Sequence, residues 1–133
     1  MALVCPNVKG EYLLLQYIVG LTAAGSPVLH LYSNNPTVDD DTVIADLTEV
    51  AGSTGYAAIT LTSSNWTTTQ AAGVTTAVYS ERTFTFGTTA TTYGYYVTDT
   101  SGNLLWLEKF TGAPFSIPEG GGTVSITTKV TLG

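Results

Sequence analysis

The run TVSITTKVTL, residues 123–132, alternates along its whole length. Val124, Ile126, Thr128, Val130 and Leu132 share one face, and Thr123, Ser125, Thr127, Lys129 and Thr131 share the other. A period of two predicts one half-buried strand. Similar short runs recur as PVLHLYS at 27–33, YAAITLT at 56–62, GVTTAVY at 73–79 and RTFTFG at 82–87. Between them SNNP at 33–36, AGSTG at 51–55, TSGN at 100–103 and EGGGT at 119–123 supply the Gly, Asn and Ser that sharp reversals need. About eight short strands punctuated by turns predict an all-β fold, an antiparallel sandwich or barrel rather than a βαβ fold, and a jelly-roll-like β-sandwich is the form expected.

Two segments break the alternation. In GEYLLLQYIVG, residues 10–20, Leu14, Tyr17, Ile18 and Leu21 sit at helical spacing, Glu11 favours a helix N-terminus and Gly20 suits a C-cap. Periodicity alone does not separate this nearly all-apolar run from a buried strand; a short N-terminal helix is the expectation. The hairpin YGYYVTDTSGNLLWLEKF, residues 93–110, is apolar on both sides. Strict alternation sends Tyr93, Tyr95 and Val97 one way and Tyr96 and Thr98 the other, with Leu104 and Trp106 opposed to Leu105 and Leu107. Both faces therefore require cover, from a helix or loop of the same chain or from a neighbouring subunit.

At 133 residues the chain suits one domain, expected over 10–133 with an N-terminal arm at 1–9. Its 44% hydrophobic and 11% charged residues argue against disorder. Threonine accounts for 25 residues, a β-branched type that fits a pleated surface while presenting a hydroxyl to water. Four Lys and Arg against ten Asp and Glu give a net charge of −6, which disfavours nucleic acid and an anionic membrane surface as partners. No apolar run approaches the roughly 20 residues of a spanning helix. MALVCPNVKG places Pro6, Asn7 and Lys9 where a secretory signal needs its apolar stretch, so a retained N-terminus is expected.

The chemistry-bearing residues are few. His30 is the only histidine and Cys5 the only cysteine, so neither a zinc knuckle nor an internal disulfide is available; a partnered structural histidine and a buried thiol are expected. Asp39–Asp41 lacks the ligand alternation of a calcium loop and is read as a solvated acidic loop. Glu108, on an apolar strand, is the best general-acid candidate, set against the simpler reading that it ends the buried part of its strand or pairs across a sheet. EGGGT lacks the Lys and following helix of a phosphate loop, and NWT at 65–67 matches the glycosylation pattern only by chance. No catalytic, metal or cofactor-binding residues are expected, and no enzyme.

Taken together, LHLYSNNPTVDDDT, GYAAITLTSSNW, RTFTF, YGYYVTDTSGNLLWLEKF and the Gly-rich turn before VSITTKVTL resemble a group of small structural proteins encoded by tailed bacteriophages. The similarity runs from about Lys9 to Leu132 and is one of strand and turn residues. It implies a virion structural protein: a capsid decoration or cement protein made in the host bacterial cytoplasm, which binds the major capsid protein on the outer capsid surface. The alternative it leaves is a tail or fibre-associated carbohydrate- or receptor-binding module, for which Trp66, Tyr12 or Tyr79 would stack on sugar rings. A homo-oligomer is expected, a trimer by preference, because shells present threefold positions. The expected contacts are an N-terminal arm ordering on the shell, with Ala2, Leu3, Val4, Pro6 and Val8, and a hairpin face around Tyr96, Leu105 and Leu107. For Tyr96 and its neighbours the competing reading is ordinary core.

Overall fold

The two-sided hairpin lies at the centre of the molecule. The computed structural model describes residues 3–21 and 23–132. Among these the elements run α1 (Tyr12–Ile18), β1 (Val28–Tyr32), β2 (Ile59–Thr60), β3 (Trp66–Ala71), β4 (Val74–Tyr79), β5 (Arg82–Phe86), β6 (Ala90–Thr92), β7 (Gly94–Thr98), β8 (Leu104–Lys109), β9 (Phe115–Ile117), β10 (Gly122–Ile126) and β11 (Lys129–Leu132). The fold is all-β. Its strands form antiparallel sheets in the orders β2-β1-β7-β8, β11-β4-β3, β10-β5 and β6-β9.

In the four-stranded sheet, Leu29, Leu31, Tyr95 and Val97 face the main core, where they meet Phe84 and Phe86 of β5, Ile126 of β10, Tyr79, Leu61 and Ile117. The opposite face carries Tyr32, Tyr96, Leu104 and Leu107, with Val4, Val38, Leu47 and Tyr93 packed against them. Both faces are covered from within the chain. On the first side the cover is the β5–β10 ribbon, and on the second it is the N-terminal segment and the long 33–50 connection.

The sides of β8 differ from strict alternation. Val97 pairs with Trp106 and Thr98 with Leu104, so a bulge leaves Leu105 unpaired. The extra residue groups Leu105 with Trp106 on the main-core side and Leu104 with Leu107 on the other, correcting the expected pairing of Leu104 with Trp106.

The C-terminal run is likewise two strands. β10 pairs with β5 and β11 with β4, and between these ladders three residues, Tyr79–Glu81, oppose two, Thr127 and Thr128. The mismatch kinks the ribbon. Thr128 is turned inward, where its backbone carbonyl accepts from Tyr79 N–H at 3.0 Å, while Leu132 is 56% exposed despite its place on the apolar register. In the 56–62 run only Ile59 and Thr60 pair, because Tyr56 leaves the sheet to stack on Phe84 and Phe86. β3 carried no alternation to read, since every residue of it after Trp66 is exposed.

α1 forms where expected and ends in a Schellman cap: Gly20 has φ 74°, Leu21 N–H bonds the Gln16 carbonyl at 3.0 Å and Gly20 N–H that of Tyr17 at 3.2 Å. A π-helical turn, Asn7–Glu11, precedes it. Gly10 lets this turn lie on β8, since a Cβ there would meet the Leu105 carbonyl and the Cys5 sulfur.

Gly94 is the tightest point of the central sheet, for a Cβ would collide with the Glu108 carbonyl and the Tyr32 ring. Gly94→Ala is therefore expected to lower stability by about 2–3 kcal/mol in urea unfolding, the usual cost of overpacking. Gly120→Ala, where added volume meets nothing, is the control and is expected to change it by less than about 0.5 kcal/mol.

Candidate functional site

The two expected contact surfaces meet each other. Val4 forms an antiparallel bridge with Leu107, its N–H donating to the Leu107 carbonyl and its carbonyl accepting from Leu107 N–H, both at 2.9 Å. The Cys5 thiol donates to the Leu105 carbonyl at 3.4 Å, Pro6 is fully buried, and Asn7 N–H bonds the Asp40 carbonyl at 3.0 Å. Val4 and Cys5 thus bond to the outer edge of β8 and shield that part of its backbone from another strand. This corrects the picture of a free arm. Ala2 and the side chain of Val8 lie outside the described residues. Tyr96, Leu105 and Leu107 are all buried, and the bulge puts Leu105 on the opposite side of the sheet from the other two. They are core, and no single exposed hairpin face exists around them.

His30 and Glu108, the two residues weighed for catalysis, are each held by hydrogen bonds to neighbouring side chains. His30 stacks on Tyr96 with ring centroids 4.6 Å apart, its Nδ1 lies 2.8 Å from Glu49 Oε1, and its Nε2 lies 3.1 Å from Thr98 Oγ1. Glu49 Oε1 also accepts from the Tyr56 hydroxyl at 3.0 Å. Trp106 Nε1 donates to Thr128 Oγ1, which donates to the Tyr95 hydroxyl, which donates to Glu108 Oε2, at 3.1, 3.3 and 2.9 Å. The direction is forced, because indole only donates and a carboxylate only accepts. Glu108 is therefore the acceptor end of a cross-strand relay, while the adjacent Lys109 ammonium bonds Asn35 instead.

In the acidic loop, Asp39 Oδ1 accepts from Asp41 N–H at 3.1 Å and from the Thr42 hydroxyl at 3.2 Å, which folds the loop on itself. The described residues contain no group of three or more His, Cys, Asp or Glu placed to hold a metal ion. Burial first, then the Glu11 and Asp40 carboxylates, pushes the Cys5 thiol up from its ordinary range and away from reactivity.

One group that sequence reasoning missed is the Tyr79 hydroxyl. Its ring is buried against Trp66, while its oxygen accepts from Thr62 N–H at 2.9 Å and from Asn65 Nδ2 at 3.2 Å. The Arg82 guanidinium lies over the ring, 5.5 Å from its centroid. Burial opposes ionisation, but the donors of Thr62, Asn65 and Arg82 outweigh it and bring the phenol down to about 8. No motif marks this arrangement, because its members come from three separate elements. Its burial also removes Tyr79 from the aromatic platforms expected for a glycan, and Trp66 is half-buried edge-on to Trp106; of the three, only Tyr12 is well exposed, at 54%.

The open surfaces lie elsewhere. The β11-β4-β3 sheet presents a row of cross-strand threonines, Thr69, Thr76 and Thr131, with the Thr76 and Thr131 hydroxyls 3.4 Å apart. An apolar cleft of about 190 Å³ runs beneath α1, lined by Leu3, Cys5, Leu14, Tyr17, Trp106 and Val130 among others. Asp99 reaches its wall, but its carboxylate is engaged by Asn103 and by the backbone N–H of Ser101 and Asn103. No described helix is long and apolar enough to cross a membrane.

Removing residues 1–6 is expected to lower stability by at least about 2 kcal/mol in urea unfolding, from lost apolar burial and two lost backbone bonds; an unattached arm would leave it unchanged. A second measurement reads Tyr79. Its folded value lies below the ordinary 10, so the stability it contributes is fully present above pH 10 and is lost as pH falls through about 8. The wild-type unfolding midpoint should therefore gain between pH 8 and 10 relative to Tyr79→Phe, and one phenol should titrate near pH 8 by ultraviolet absorbance.

No family model, no curated protein and no solved structure matches this chain.

Proposed function

We propose that this protein is a virion structural component of a tailed bacteriophage, a capsid decoration protein that binds the outer shell as an oligomer and stabilises it. What carries the reading is where the resembling runs fall. They supply β1, β5, the central β7–β8 hairpin and β10, which contribute most of the buried core, together with the turn after β1 and the more exposed β11. A likeness confined to surface loops would mean far less. On this reading the finer architecture is a jelly-roll-like sandwich, with the four-stranded sheet as one layer and the β5–β10 and β4–β11 ladders as the other.

The open surfaces suit the role. The threonine row of the β11-β4-β3 sheet offers hydroxyls and little charge, so contact with a shell subunit removes few ionised groups from water. Repeated around a symmetric shell, modest contacts gain from high effective concentration, and a trimer matches the threefold positions a shell presents. The net charge of −6 favours the outside of the shell over the side facing packaged DNA. The tail or fibre reading keeps only Tyr12 of its three stacking aromatics and is the weaker of the two.

The test is a phage lacking this gene. Its capsids are expected to lose resistance to heat and to chelators and to regain it when purified protein is added back. Absence of the protein from finished virions, or capsids equally resistant without it, sinks the proposal.

A further inference from the structure

α1 is apolar at every position but Gln16, a composition close to that of a helix enclosed on every side. Only part of it is covered here. Leu13 is buried at 7% exposure and Tyr17 packs against the main core, whereas Tyr12, Leu14, Leu15, Ile18, Val19 and Leu21 are 38–75% exposed. At ordinary side-chain sizes these exposures amount to roughly 600 Å², the upper end of what monomers leave open and close to the ~800 Å² per partner of a standard interface.

We infer that this surface is covered by the same surface of a second copy of the chain, so that α1 packs against α1 across a symmetry axis. Charge selects the occupant. The chain carries −6 overall, so most of its surface would repel another copy, yet residues 12–38 contain no Asp, Glu, Lys or Arg. A self-complementary contact places identical patches together, and an uncharged apolar patch is where an acidic protein can do so without like charges meeting. A lipid surface fits poorly. Interfacial helices present a Lys- and Arg-rich polar face, whereas α1 itself carries no Lys or Arg and the nearest basic residue in the sequence is Lys9, with Glu11 close by. The area also suffices, since two such patches together bury roughly 1,200 Å², the lower bound of specific interfaces.

The inference rests on the homo-oligomer of the proposed function and on nothing viral; its two-fold contact makes a dimer the first unit of assembly, in place of the trimer preferred there. It is tested on the purified full chain by sedimentation and light scattering at micromolar concentration, with no capsid present. The wild type is expected at a multiple of 13.9 kDa. Leu15→Asp and Ile18→Asp, at positions 63% and 69% exposed, should keep the fold by circular dichroism. Both should raise the dissociation midpoint at least tenfold, an order-of-magnitude expectation for charge in an apolar contact. Should either variant misfold, Cys5→Ser/Leu15→Cys decides, because a short bismaleimide is expected to link two copies through residue 15. A monomeric wild type, an oligomer that both folded variants retain, or no cross-link between copies overturns the inference. A monomer that nevertheless binds lipid vesicles or capsids overturns it too, by giving the patch a different occupant; loss of the capsid role alone leaves self-association standing.

Discussion

The β7–β8 hairpin carries large apolar side chains on both faces, and enclosing both is the constraint that organises this molecule. One face is closed by Phe84, Phe86 and Ile126 from the β5–β10 ribbon. The other is closed by Val4, Val38 and Leu47, from segments without long strands of their own. Each segment is fixed by backbone hydrogen bonds as well as by burial: Val4 to Leu107, Ser33 to Thr48, Val50 to Leu31. Burying apolar area supplies the drive, and the hydrogen bonds ensure that the covering backbone is not left unpaired on the way in.

The polar residues inside serve the same end. A threonine-rich chain with few charges has limited means of satisfying a buried hydroxyl: that of Thr92 has no hydrogen-bond partner, whereas that of Thr128 is chained to its neighbours. Thr128 joins the kink of the C-terminal ribbon to Trp106 and Tyr95 of the hairpin, and Glu108 terminates the series. Glu49 gathers His30 and Tyr56 and so ties the 33–50 connection to the central sheet. Burial makes Tyr32, Tyr56, Tyr95 and Tyr96 harder to ionise, so these phenols act as neutral donors and acceptors over the ordinary pH range. Tyr79 is the opposite case, because its oxygen meets donors from several directions.

Two exposed surfaces are distinct in character: the threonine-bearing sheet β11-β4-β3, in which Lys129 is the one charged residue, and the apolar flank of α1. The proposed role, which joins the chain to its own kind and to a larger assembly, would draw on two such surfaces, and their difference in polarity would let each contact form without competing for the other.

By itself the sequence determined the all-β class, three of the five short runs as single strands, the major turns and the short helix with its Gly20 stop, because these follow from side-chain period and backbone preference within a few residues. The partnered His30 and the two-sided character of 93–110 were legible on the same grounds. Only the tertiary structure decided what covered that hairpin. Val4 and Leu107 are more than a hundred residues apart in the chain, and no local pattern records that they pair. The bulge at Leu105, the kink at Thr128 and the exit of Tyr56 from its strand each depend on a partner in another element, as does the donor ring around Tyr79. A strand's period says which residues share a face; what that face meets is set by packing between elements distant in sequence.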